Sequence, residues 1–120
     1  MKTNKETKEI QNDLKQFTGT EYYYKYFEEC VITDGVKYLA ESCGAFWFLD
    51  IICSYKDRPN MKMESFQVWT LKAKDSRGVV TCGDGNNNEL IKQQIEFTDF
   101  PLDKITVWKV DNVILLPSEY

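Results

Sequence analysis

Apolar residues recur every three to four positions before Arg58-Pro59-Asn60 and every second position after it. A chain patterned this way places its helices first and its strands second. The spacing predicts an α+β domain, with about three helices packed on one face of an antiparallel, hairpin-rich sheet. At 120 residues the chain is long enough for one hydrophobic core and too short for two, so residues 1–120 are expected to form a single domain.

In the helical half, Thr3 with Glu6 has the spacing of a capping box, and Ile10, Leu14 and Phe17 follow at helical intervals before Gly19. The segment Thr33-Asp34-Gly35 offers a second helix start. Val36, Leu39, Ala40 and Cys43 then form its apolar stripe, and Gly44 is a left-handed stop. A third helix, AFWFLDIICSY, is apolar nearly all round, with Asp50, Ser54 and Asp57 as its polar line, and should be the most buried. In the other half, strands are expected at 66–73 and 79–82 around the four-residue loop Asp75-Ser76-Arg77-Gly78. A third strand alternates Ile91, Gln93, Ile95 and Phe97 on its dry face. Strands at 105–110 and 113–116 flank a tight Asp111-Asn112 turn. Phe66 and Val68 have the opposite parity to Trp69 and Leu71, which calls for a bulge or for burial on both faces.

Between the first two helices lies GTEYYYKYFEE, read as a strand over roughly 21–31. Tyr22, Tyr24 and Tyr26 share one face, and Tyr23, Lys25 and Phe27 share the other. Both faces are aromatic. One packs on the core, and the second is covered either by the N-terminal helix or by a partner, since aromatic side chains supply rigid contact area in interfaces.

The residue inventory excludes much chemistry. There is no histidine, hence no Cys/His zinc site and no His-dependent acid–base or nucleophilic constellation. The four cysteines form no C-x-x-C pair and sit among apolar neighbours, as reduced thiols do. The first fifteen residues have no apolar signal core, and the longest apolar run, 45–53, falls far short of a membrane span. A soluble, cytoplasmic protein is expected. CGDGNNNE has alternate oxygen ligands like a calcium loop but lacks the glycine at position six and the glutamate at position twelve, so it is read as a flexible hairpin loop. Asp50, alone in its apolar run, is read as a solvated helix edge rather than a general acid. Glu96, Asp99 and Asp103 could gather as a magnesium site of a nuclease, but no Lys or His base stands at a recognisable spacing. No phosphate-binding or nucleophile motif occurs, and neither a cofactor nor a metal is expected.

With 15 basic against 19 acidic residues the net charge is −4, which argues against autonomous DNA binding through phosphates. From residue 75 onward there are eight acids against four bases, a difference equal to the whole net charge. An acidic surface complementary to a basic protein partner is one reading of this asymmetry, and a solvated face is the other.

The segments FTGTEYYYKY, TDGVKYLAESCGAFWFLDIICSY, FQVWTLK and IEFTDFPLDKITVWKVDNVILLPSEY resemble a bacterial family of small uncharacterised domains carried on prophages, plasmids and conjugative elements. The resemblance implies a mobile-element protein without an assigned catalytic motif. In size and source it is similar to anti-CRISPR inhibitors, including one acting on the RNA-guided RNA nuclease of type VI-B systems. The expectation is therefore a non-catalytic binding protein that blocks the guide or target RNA function of an effector nuclease. Glu96, Asp99, Asp103 and Asp111 would steer the encounter, and Tyr22, Tyr23, Tyr24 and Tyr26 would supply contact area. The alternatives are a housekeeping or structural binding module, or a magnesium-dependent nuclease.

Overall fold

The computed structural model describes residues 4–120. Its elements are α1 (Asn4–Leu14), β1 (Tyr23–Phe27), β2 (Cys30–Thr33), α2 (Asp34–Cys43), α3 (Phe46–Ser54), α4 (Pro59–Lys62), β3 (Phe66–Lys74), β4 (Arg77–Gly83), β5 (Glu89–Ile95), β6 (Lys104–Val110) and β7 (Val113–Leu115), followed by a 3-10 turn, Pro117–Glu119. The strands form one sheet in the order β1-β2-β7-β6-β3-β4-β5. The α+β architecture is as expected, with one difference: β2 and β7 run parallel, so the sheet is mixed. That pair is joined through the whole of the intervening chain, and parallel pairing needs such a crossover.

The helices form where the pattern places them. The Thr3–Glu6 capping box lies outside the described residues, but α1 buries Ile10 and Leu14 as its narrow stripe implies. Thr33 caps α2 by accepting the Val36 N–H at 3.3 Å, and Gly44, at φ +60°, closes it by donating to the Ala40 carbonyl. Helix α3 buries Phe48, Leu49, Ile52 and Cys53, while Asp50, Ser54 and Asp57 stay exposed. The short helix α4, with Pro59 in its first turn, occupies the expected break.

The glutamate of the 3-10 turn closes the fold. Glu119 reaches into the N-terminus of α2, accepting from Thr33 Oγ1 at 2.6 Å, the Gly35 N–H at 3.1 Å and the Leu116 N–H at 2.9 Å. A carboxylate at a helix N-terminus satisfies free amides and opposes the positive end of the helix dipole. A Cβ at position 35 would lie 2.6 Å from Leu116 Cδ1 and 2.7 Å from the carboxylate, so a larger residue there would have to displace both side chains.

The tyrosine segment is not one long strand. It is a hairpin, β1 turning into β2 at Glu28-Glu29 with Glu28 at φ +50°. A register shift between Lys25 and Phe27 keeps the even-numbered residues facing inward on both strands, so the alternation runs unbroken across the turn and hides it. The second hairpin is also tighter than expected: the turn is Asp75-Ser76 alone, both at positive φ, and β4 begins at Arg77. Asp111-Asn112 forms the tight turn anticipated between β6 and β7. Strand β5 ends at Ile95, and Phe97, expected on the dry face, is 74% exposed because pairing with β4 stops at Gly78.

All helices lie on one side of the sheet. Trp69, Leu71, Val80, Cys82, Ile91, Val107 and Ile114 point to that side and join the helical residues in a single core. No bulge interrupts β3; its register with β4 and β6 is continuous. Gln67, Trp69 and Leu71 are buried, whereas Phe66, Val68 and Thr70 are half-buried on the opposite face. The buried amide of Gln67 is fully used: it accepts from Trp69 Nε1 at 2.9 Å and donates to the carbonyls of Met61 and Glu64.

Candidate interaction surface

Tyr24 and Tyr26 face the helices from the sheet edge and are half-buried. The Tyr24 hydroxyl donates to Asp34 Oδ1 at 2.8 Å, and the Tyr26 hydroxyl donates to the Asp50 carboxylate and to the Phe46 carbonyl. The Asp34 carboxylate raises the Tyr24 pKa above the phenol range, and burial followed by the Asp50 hydrogen bond does the same for Tyr26. Asp34 also accepts the Glu21 N–H at 2.9 Å. That bond first, and the Tyr24 hydroxyl second, hold its carboxyl below the usual range. These two tyrosines tie the hairpin to α2 and α3. Tyr22 and Tyr23 are each 62% exposed, and Tyr23, Lys25 and Phe27 point away from the helices.

The four acids do not form one patch. Glu96, Asp99 and Asp103 are exposed near one end of the sheet, whereas Asp111 sits in the β6–β7 turn at the other. Asp103 and Asp111 are separated by the whole of β6, roughly 26 Å along the strand. Among the described residues no group of three acids or cysteines is arranged to hold a metal ion. The carboxylate of Asp84 in the CGDGNNNE loop is used internally, accepting from Asn86 N at 2.8 Å and Asn88 Nδ2 at 2.8 Å, and these bonds lower its pKa.

That loop borders a groove on the helix-free face. The groove, of about 570 Å³, is lined by Phe66, Val68, Thr70, Thr81 and Trp108, with the loop from Gly83 to Glu89 as its wall. Gly85, at φ +87°, lies against the Phe66 ring, where a Cβ would come within 3.0 Å. Phe66 meets Trp108 edge-on at 5.2 Å between centroids, and Trp108 meets Tyr120 edge-on at 5.5 Å. Thr70 and Thr106 pair across β3 and β6, with hydroxyls 3.3 Å apart. Beyond them the same face carries Lys72, Lys74, Arg77 and Lys104 around a second depression of about 580 Å³. Through Val31 and Val113, paired in β2 and β7, the face continues to Lys25 and Tyr23 on β1.

The family can now be placed. A model described as a family of unknown function (DUF6876) matches residues 8–120. The chain belongs to that family. Neither curated proteins nor solved structures provide a match. In this DUF6876 member no helix among the described residues is long and apolar enough to cross a membrane.

The structure places Trp69 and Trp108 on opposite faces of the sheet. Trp69 is fully buried, and Trp108 is half-buried on the open face. Phe66, Tyr120 and the lysine cluster were missed as parts of one surface. The available signal was the parity conflict in β3: Phe66, Val68, Thr70, Lys72 and Lys74 are one complete face, and the core lies on the other.

Proposed function

We propose that this protein is a non-catalytic binding module that docks on another macromolecule through the helix-free face of its sheet. The observation that carries the reading is that face itself: one side of the sheet is covered by all the helices, and the other bears half-buried aromatic and β-branched side chains around a groove. A sheet face left open in this way normally carries polar alternation, so an aromatic lining marks a contact surface. Aromatic side chains held by neighbouring rings lose little entropy on binding. In the setting implied by the resemblance to mobile-element domains, the partner is an RNA-guided effector nuclease and the protein is its inhibitor.

The test is co-purification from host lysate of the tagged chain and of a Trp108→Ala/Lys104→Glu variant, each first checked by circular dichroism for an intact fold. The reading expects partners held by the parent chain and lost from the variant. Partners retained by this variant but lost on Tyr22→Ala would move the docking surface to the hairpin and overturn it.

A further inference from the structure

Every charged side chain that β3, β4 and β6 display on the helix-free face is basic. Lys72, Lys74, Arg77 and Lys104 are exposed there, and Lys92, opposite Thr81, adds a fifth cation from β5. Register places like charges directly opposite each other twice, Lys72 against Lys104 and Lys74 against Arg77. Such cross-strand pairs destabilise a sheet unless an anion lies between them. Among the described residues none of the five side chains makes an ion pair or hydrogen bond; Glu89 and Asp103 line the edges of the two depressions, and Asp75 sits in the turn between Lys74 and Arg77. The net charge of −4 conceals this surface, because nearly all of the compensating acids lie on the helices and loops.

The cations adjoin the groove that holds Phe66 and Trp108, so one strand, β3, runs from an aromatic ring through Val68 and Thr70 to two lysines. Over its length, roughly 26 Å, apolar flat surface gives way to positive charge. A ligand matching both halves must be polyanionic and must expose flat apolar groups. A single-stranded nucleic acid does both, whereas a duplex hides its bases and an acidic peptide has no repeated planar rings. We infer that the open face binds single-stranded nucleic acid, with phosphates on Lys72, Lys74, Arg77 and Lys104 and an unpaired base against Trp108. This rests on the docking surface proposed above and deepens it: within an RNA-guided nuclease complex, the component contacted is the single-stranded guide or target.

The test is fluorescence anisotropy of labelled 12-nucleotide oligouridylate and oligothymidylate with the purified chain, the two arms separating RNA from DNA. Binding is expected to weaken steeply between about 50 and 200 mM salt, with a log–log slope of about −0.7 for each phosphate contact. Lys72→Glu/Lys104→Glu, changes at exposed positions checked for an intact fold by circular dichroism, should weaken binding about tenfold or more and flatten the slope. Trp108→Phe should keep affinity within a few-fold and remove the tryptophan quenching that the oligonucleotide produces. Absence of binding at low salt, equal affinity for a duplex of the same length, or displacement by polyglutamate with no Trp108 response would each overturn the inference. If oligonucleotides fail while the co-purification above still depends on Trp108 and Lys104, the nucleic-acid inference falls and the docking surface stands.

Discussion

Replacing Glu119 by Gln tests how the end of the described chain holds α2 in place. The carboxylate is 9% exposed and accepts three hydrogen bonds, from Thr33 Oγ1, Gly35 N and Leu116 N. All three partners are donors. Glutamine keeps the volume but supplies one acceptor oxygen, so its amide N–H₂ must face a donor. Losing a bond to a charged acceptor and leaving a buried amide unsatisfied costs about 1.5–3 kcal/mol. Removing the charge from the helix N-terminus adds about 0.3–1 kcal/mol. The sum is about 2–4 kcal/mol, which for a chain of this length lowers Tm by roughly 8–15 °C. Thermal unfolding by circular dichroism at pH 7 measures it, with Glu96→Gln, an exposed change expected to leave Tm within about 2 °C, as the control. A Glu119→Gln protein melting within about 2 °C of the parent would refute the assignment of the carboxylate as the α2 cap.

Burial pushes the Cys53 and Cys82 thiols up to about 12 each, with the neighbouring Cys30 contributing at Cys53, so the native protein should be almost unreactive to a thiol reagent at pH 8 and should release four equivalents in denaturant. Rapid native reaction of two or more thiols would contradict this. The depressed pKa of Asp34 contributes stability that is fully present above its unfolded value of about 3.9 and is lost as pH falls through the lower folded value. Urea midpoints measured from pH 6 down to pH 2 should therefore fall less for Asp34→Asn than for the parent, and equal losses would refute it. Gly85→Ala strains a left-handed position and crowds Phe66, so it should lower stability by about 1–2 kcal/mol in urea unfolding; no change would show that the loop does not rest on the ring.

Most of the architecture was legible because local signals and tertiary packing agree. Thr33, Gly44 and the stripe of Val36, Leu39, Ala40 and Cys43 each mark α2 by an independent rule, and the structure uses them all. The turn at Glu28-Glu29 was not legible, because glutamate is a poor marker of positive φ and the adjacent bulge restores the alternation that a turn would break. Parallel pairing of β2 with β7 depends on contacts between distant segments, and no local pattern encodes it. The tyrosines were visible as a cluster, but which of them are tethered depended on Asp34 and Asp50, which arrive from α2 and α3. The basic face was hidden for a related reason. Lys72, Lys74, Arg77, Lys92 and Lys104 are scattered over 33 positions, and strand register alone brings them together.

The most direct measurement is a chemical-shift titration of the ¹⁵N-labelled chain with a single-stranded 12-mer in low salt. The helix-free face as binding surface predicts shifts concentrated in the amides of Phe66–Lys74 and Lys104–Trp108 and at the Trp108 indole, with the buried Trp69 indole and the amides of α2 and α3 unmoved. Shifts confined to the helices or to the β1–β2 hairpin, with the Trp108 indole unmoved, would contradict it.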